Sequence, residues 1–322
     1  MSSNSVLNFE ESLLSELYRS MLRIRLFEEQ TQKLKEAGEI PGSIHLAIGQ
    51  EAIPVGFCRG LNISDLVGAT YRGHGWALAK GVPAEAIFAE MMGRESKLNG
   101  GRAGSPFFSS SANGFLGENS IVGGGVPIAA GAALSARNAE DGRVVITSFG
   151  DGAMNQGVVL ETINLAVVMS LPLVFVVENN VYSEMTPISS MMRGESLASR
   201  AAGFGIHSYS VDGNNPLEVI NVAQDSINRA RQGNGPTFVE AHTIRLAGHY
   251  SGDAQQYRQV TELRDAWENE PLARMRRNAD QSTNDFYDTI HEEVAVEIQV
   301  AVAQARNFSD PDPSTAGRHV YG

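Results

Sequence analysis

The chain of 322 residues carries 25 Lys and Arg against 37 Asp and Glu, for a formal net charge of −12, and a single cysteine, Cys58. A chain of this length buries a full core without staples, its acidic balance argues against a nucleic-acid partner, and one cysteine excludes an internal disulfide framework or a Cys-rich zinc site and fits a reducing, cytoplasmic setting. No apolar run reaches the roughly 20 residues of a membrane span, and Met1 to Ser5 offer neither the basic nor the apolar part of a signal peptide.

Residues 1–11 are expected as an extended tail. Residues 12–37 then read as an amphipathic helix, because Leu14, Leu17, Met21, Ile24 and Glu28 recur at three-and-four spacing. Ser12 is the expected N-cap and Gly38 the residue just past the end. Residues 40–60 are irregular and then helical, and residues 83–92, opening on Pro83, form a short helix. From Asn99 to Gly125 the chain is rich in Gly and Ser without a period, which marks a long functional loop. Residues 131–138 return to helix.

A different rhythm begins at Arg143. Val144 to Phe149 is a β-branched run ended by Gly150-Asp151-Gly152. A helix follows over 156–170, stopped by Pro172. Leu173 to Val177 is a second apolar run, ended by Glu178-Asn179-Asn180. Strand, helix and strand in this order make a crossover of parallel strands, and near-continuous apolar strands are buried on both faces. Ser208 to Val211, a helix over 216–232, and Thr237 to Ala241 repeat the pattern. The expected fold is therefore α/β, a doubly wound, mostly parallel sheet with N- and C-terminal helices. The last helix, over 284–306, carries Phe286, Ile290, Val294, Ile298 and Val302 on one stripe, and residues 309–322 are expected as an extended tail. With no repeat and no low-complexity linker, 1–322 is expected to form a single domain.

Asp151 and Asn180 each stand just past the carboxyl end of an expected parallel strand, one strand–helix–strand unit apart. That places both side chains on the sheet edge where open α/β sheets bind ligands. Gly150 and Gly152 let a ligand approach the backbone, and a helix opening near Ala153 offers amides to an anion. A carboxylate, an amide oxygen and a phosphate together suit Mg²⁺. Either motif alone is an ordinary turn; the pair at this spacing points to a magnesium–diphosphate site.

Gly150-Asp151-Gly152-Ala153-Met154-Asn155-Gln156-Gly157, followed by Glu178-Asn179-Asn180-Val181-Tyr182, resembles the thiamine-diphosphate signature. From about Leu14 to Arg258 the chain resembles the alpha subunit of the dehydrogenase component of 2-oxo acid and acetoin dehydrogenase complexes. The resemblance includes His45-Leu46 through Gly49-Gln50-Glu51-Ala52, then Tyr71-Arg72-Gly73-His74-Gly75, Ile121-Val122-Gly123, and Gly248-His249-Tyr250-Ser251-Gly252-Asp253 with Tyr257-Arg258. It implies the thiamine-diphosphate-binding fold, with thiamine diphosphate and Mg²⁺ as cofactors. By this resemblance Asp151 and Asn180 bind Mg²⁺ through their side chains and Tyr182 through its carbonyl. Gly152 and Ala153 meet the diphosphate through the backbone, Tyr71 and Arg72 hold it from the other side, and the backbone at Ser120 and Val122 holds the aminopyrimidine ring. His249 is the catalytic histidine of the loop near the reacting carbon, and it also lies within reach of the cofactor.

The resemblance further implies a beta subunit in an α2β2 assembly, a lipoyl acyltransferase partner, and a small 2-oxo acid or acyloin as substrate. The chain would be active only with that beta subunit. One departure stands out: many relatives have Gly-Gly-Ser-Met-His where this chain has Ala103-Gly104-Ser105-Pro106-Phe107, so Phe107 replaces a histidine. That leaves a non-oxidative carboligase or acyl-transfer subunit, and a non-catalytic cofactor-binding subunit, as alternatives. The loop at Gly248 to Asp253 resembles acetoin-type members more than pyruvate and branched-chain ones.

Overall fold

Strands that are apolar on both faces need a helical layer on each side. The computed structural model, which describes residues 3–320, provides both layers. In chain order the elements are α1 (Ser3–Glu36), α2 (Ala52–Arg59), β1 (Leu66–Gly68), α3 (His74–Ala79), α4 (Ala84–Met91), β2 (Phe115–Gly117) and α5 (Gly125–Ala139). Then come β3 (Val145–Gly150), α6 (Gly157–Val168), β4 (Leu173–Asn179), β5 (Tyr182–Ser183), β6 (Thr186–Pro187), α7 (Leu197–Ala202), β7 (His207–Asp212), α8 (Pro216–Arg231) and β8 (Thr237–His242). Three helices close the chain: α9 (Val260–Asn269), α10 (Pro271–Asn278) and α11 (Gln281–Arg306).

Six strands form one parallel sheet in the order β2-β1-β3-β4-β8-β7, and β5 and β6 form a separate antiparallel pair. The sheet is wound in both directions, outward from β1 to β2 on one side and from β3 to β4 on the other. Successive side chains of a strand point to opposite faces. Val144, Ile146, Val174 and Val176 therefore join one apolar cluster with side chains of α1, α2, α8 and α11, while Val145, Phe175, Val177 and Phe238 join another with side chains of α5, α6 and α7. Each such buried side chain contributes about 1.5–3 kcal/mol relative to exposure. The α/β class, the mostly parallel sheet and the helices near both termini agree with the sequence expectation.

Several local expectations are corrected. The first helix starts at Ser3, so residues 3–11 are helical rather than an extended tail and Ser12 is not its cap; residues 1 and 2 lie outside the described residues. Gly38 does end it, at φ 77°, where a side chain would be strained. On α11 the buried stripe begins at Tyr287, not Phe286: Tyr287 stacks on Tyr18 with ring centroids 3.8 Å apart, and Phe286 is exposed. Residues 313–319 of the expected C-terminal tail form a 3-10 helix, and residues 321 and 322 lie outside the described residues.

The loop expected over 99–125 contains β2, the edge strand of the sheet. The polar member of the α1 stripe, Glu28, is fully buried, where it accepts the Ala47 amide at 3.0 Å and faces His74 Nδ1 at 3.0 Å. Nearby, Arg25 on α1 pairs with Glu51 (2.6 Å) and Glu270 (2.8 Å), all three buried. Removing one member of such a group costs about 3–5 kcal/mol, because it strands the others. Glu51 also accepts the Gly49 amide at 3.0 Å, which fixes the segment carrying Gln50.

Candidate active site

The sequence order explains why the site lies where it does. β1, β3, β4 and β8 are neighbours, and the residues that follow each of them meet above the carboxyl ends of the strands. Open α/β sheets hold ligands at this edge, at the point where the winding reverses. One cleft there is lined by Tyr71 and Arg72 after β1, Asp151 to Ala153 after β3, Asn180 and Tyr182 after β4, and Arg245 after β8. Val122 and Gln50 complete its walls. Ser120 is not among the lining residues and reaches the cleft only through the segment ending at Val122. His249 adjoins it through Arg72, whose Nη2 donates to the His249 carbonyl at 2.9 Å.

Asp151 is the most exacting group here. It is buried; its Oδ1 accepts the Gly152 amide at 2.9 Å, while Oδ2 has no partner. Burial pushes its carboxyl up to about 6. A cation is the natural complement of such an oxygen, and oxygen donors suit Mg²⁺. Asn180 Nδ2 donates to Gln50 Oε1 at 3.0 Å, and Asn180 Oδ1 accepts the Tyr182 amide at 3.3 Å. Gln50 Nε2 in turn donates to Glu178, which also accepts from Trp76 Nε1 at 2.7 Å and from Ser148 Oγ. Asn180 is thus held from below by a buried polar network, and its partners keep it aimed at the cleft.

The turn that presents Tyr182 is strained. Val181 has φ 62°, a left-handed conformation that a β-branched residue rarely adopts. Its amide bonds Asn179 Oδ1 at 3.1 Å and its carbonyl accepts the Ile188 amide at 2.9 Å, so both neighbours hold it there. The helix expected to open near Ala153 is corrected: residues Asp151–Asn155 form a 3-10 turn, and α6 starts only at Gly157 after Gln156. The positive end of α6 is therefore displaced from Asp151, and the cationic side chains supply the positive potential instead.

Those side chains are Arg72 and Arg245. Both are buried. Arg72 donates to the carbonyls of Leu46 and His249. Burial and the neighbouring Arg245 bring its guanidinium down to about 10. Arg245 donates to the Glu184 carbonyl at 2.9 Å and to Tyr257 Oη at 2.7 Å, and its Nε has no partner. Neither guanidinium forms an ion pair among the described residues, which suits them to an anionic group in the cleft. Arg245 and Gln50 were not among the residues expected to form the site.

His249 packs in an edge-on cluster with His45 (ring centroids 5.0 Å) and Tyr71 (5.8 Å). Burial, then Arg72 and Arg245, bring His249 down to about 4, so its ring is uncharged at neutral pH, and Nδ1 has no partner. Its loop is pinned by Asp253, which accepts the His249 amide at 2.6 Å and Tyr257 Oη at 2.7 Å. Against burial, which raises it, these bonds hold the Asp253 carboxyl below its ordinary range. Phe107 is exposed, whereas the adjoining Phe108 is buried against His74.

A parallel α/β sheet with this edge cleft is the architecture of a large class of cofactor-binding proteins, and sequence comparison narrows the class. Residues 18–314 match the family of dehydrogenase E1 components, and the chain belongs to that family. It is 40% identical over 322 residues to the alpha subunit of acetoin:2,6-dichlorophenolindophenol oxidoreductase of Cupriavidus necator, spanning 99% of this chain and 97% of that protein. It is 38% identical over 308 residues to the Bacillus subtilis protein of that name, spanning 95% and 92%. A pyruvate dehydrogenase E1 component subunit alpha from Zymomonas mobilis is 38% identical over 314 residues, spanning 96% and 87%. No helix among the described residues is long and apolar enough to cross a membrane.

Proposed function

We propose that this chain is the diphosphate-side, alpha-type subunit of a thiamine-diphosphate- and Mg²⁺-dependent dehydrogenase that acts on acetoin or a pyruvate-like 2-oxo acid. The observation that carries the reading is the partnerless, buried Asp151 Oδ2 in a cleft with two guanidiniums that lack carboxylate partners. Asp151 and Asn180 side chains and the Tyr182 carbonyl hold Mg²⁺. The Gly152 and Ala153 backbone, Tyr71, Arg72 and Arg245 hold the diphosphate. The segment from Ser120 to Val122 supports the aminopyrimidine ring through its backbone. When bound, thiamine diphosphate supplies a nucleophilic carbon and an electron sink.

His249, uncharged at neutral pH, accepts or returns a proton at its imidazole near the reacting carbon. The His45 and Tyr71 rings fix its orientation. The chain works as a single cytoplasmic domain within an α2β2 assembly, the beta subunit completing the site, and passes the acyl group to a lipoyl-bearing partner. A second reading, a non-oxidative carboligase subunit, is favoured by one feature alone, the exposed Phe107 in place of a histidine.

Calorimetry of thiamine diphosphate with Mg²⁺ tests the assignment. Asp151→Ala is expected to lose most of the Mg²⁺-dependent affinity, and equal affinity in the two proteins would defeat it. Acylation of a lipoyl domain by the complex with a beta subunit separates the two catalytic readings, since the carboligase gives none.

A further inference from the structure

A buried carboxyl without a partner stands behind the cleft. Glu118 follows the edge strand β2 and precedes Ser120 by two residues. It is 7% exposed, and neither carboxylate oxygen has a hydrogen-bond partner. Its Cγ lies over Gly73, where an added Cβ would come within 2.7 Å. Gly73 joins Arg72 to α3, whose first residue is His74. That imidazole is fully buried, with Nδ1 3.0 Å from Glu28 Oε2 and Nε2 2.9 Å from Ser105 Oγ. The cluster thus ties together α1, the start of α3 and the segment after β2. The Tyr71–Arg72 turn leaves it on one side and Ser120 to Val122 on the other.

The charged groups facing Glu118 are His74 on α3 and Glu28 on α1; Arg72 bears on His74 from the turn, and the loop at 103–108 brings Ser105 and Phe108, neither of them charged. Burial pushes Glu118 up to about 8, with His74 opposing, Glu28 adding to the rise and the Gly73 amide opposing it. His74 reaches about 9, because Glu28 and Glu118 outweigh burial. A buried carboxylate without a donor is costly, and a proton removes that cost. Both His74 nitrogens are already engaged. An ionised Glu118 gains a full donor by drawing in the Gly73 amide, by drawing His74 from Glu28 or Ser105, or by admitting water. Drawing on the Gly73 amide or on the adjoining His74 moves Gly73, and Arg72 with it.

We propose that Glu118 is a positioning residue: uncharged, it locks the Arg72 turn against the segment that carries Ser120 and Val122, and loss of its proton loosens both arms of the cofactor grip together. The proposal rests on the thiamine-diphosphate reading above.

The test uses the chain with its beta subunit. Calorimetric Kd values for thiamine diphosphate with Mg²⁺ are measured between about pH 7 and pH 9. A single proton titrating near 8 predicts about tenfold weaker binding at the upper end. Glu118→Gln keeps the shape and has no proton to lose, so it loses the tenfold fall; what His74, near 9, can add is confined to the top of the range and to about twofold. Infrared difference spectra of the wild type show a buried protonated carboxyl at about pH 7 that fades in step with Kd and is missing from Glu118→Gln. A tenfold fall that survives in Glu118→Gln overturns this proposal alone. Absence of a titrating carboxyl band in the wild type overturns it even if Glu118→Gln fails to fold. No binding of thiamine diphosphate at any pH overturns the cofactor reading and this proposal with it.

Discussion

Gly152→Ala is the sharpest perturbation the cleft offers. Gly152 does not have a left-handed backbone, so an alanine there meets no conformational strain of its own. Its obstacle is spatial. An added Cβ would sit 2.2 Å from Ser183 Oγ and 2.5 Å from Ser183 Cβ, and only Ser183 Cα, at 3.5 Å, is at ordinary contact distance. Rotating the serine hydroxyl away does not help, because Cβ is fixed to the backbone of β5. The β5–β6 hairpin must therefore retreat from the 3-10 turn by roughly 1 Å, since relaxed carbon contacts lie at about 3.5–4.0 Å.

Overpacking of this kind costs about 1–3 kcal/mol. The retreat also carries the adjacent Tyr182 carbonyl away from Asp151. We expect a lower urea midpoint and a thiamine diphosphate affinity reduced about ten- to a hundredfold, which converts to about 1.4–2.8 kcal/mol. The compensating change is Ser183→Gly, which deletes the two clashing atoms. Placed in the Gly152→Ala background it should recover most of both losses, less about 0.5–1 kcal/mol for the added backbone freedom. The double-mutant cycle should show a coupling of about 1–3 kcal/mol. Wild-type stability and affinity in Gly152→Ala, or additive single effects, would refute the packing argument.

Val181→Gly relieves the left-handed strain and should raise stability by about 0.5–1 kcal/mol, visible as a higher urea midpoint; a drop would show that the valine side chain matters more than its φ. Arg245→Met should cut thiamine diphosphate affinity about tenfold or more, since a hydrogen bond to a charged group contributes about 1.5–3 kcal/mol, and unchanged calorimetry would remove Arg245 from the diphosphate grip. The cofactor-free chain should lose stability as pH rises above about 7. His74 titrates near 9 when folded, raised by Glu28 and Glu118 against burial, and an unfolded histidine titrates near 6.5. Its contribution is full below 6.5 and lost as pH passes 9. Glu118, raised to about 8 chiefly by burial, has the same sign, so urea midpoints that climb across this range would contradict the reading.

What was legible in the sequence is what local pattern can carry. β3 and β4 are long, apolar on both faces and punctuated by Gly150-Asp151-Gly152 and Glu178-Asn179-Asn180, so their existence, parallel pairing and shared edge followed from period and spacing. β1 and β2 have three residues each, too short to show a period, and β2 pairs with the sheet on one side only. Tyr287 rather than Phe286 faces the core because the buried ring is chosen by Tyr18 on another helix, a contact without sequence signature. Arg245 and Gln50 reach the cleft because β8 neighbours β4 and because Glu51 anchors to Arg25; neither fact is local. Asp151 and Asn180 could be found from spacing, whereas the orphaned carboxyl of Glu118 could be found only from its surroundings.

The 3-10 turn between Asp151 and α6 has an evolutionary corollary. Where a helix amide end faces an anion, its dipole belongs to the backbone, and no substitution of a side chain deletes it. In this chain α6 begins after Gln156, one turn too late, and the cleft's positive charge resides on the side chains of Arg72 and Arg245. Side-chain charge is exposed to single-codon loss. The proposed hold on an anionic group is therefore genetically brittle in a way that the backbone scaffold is not.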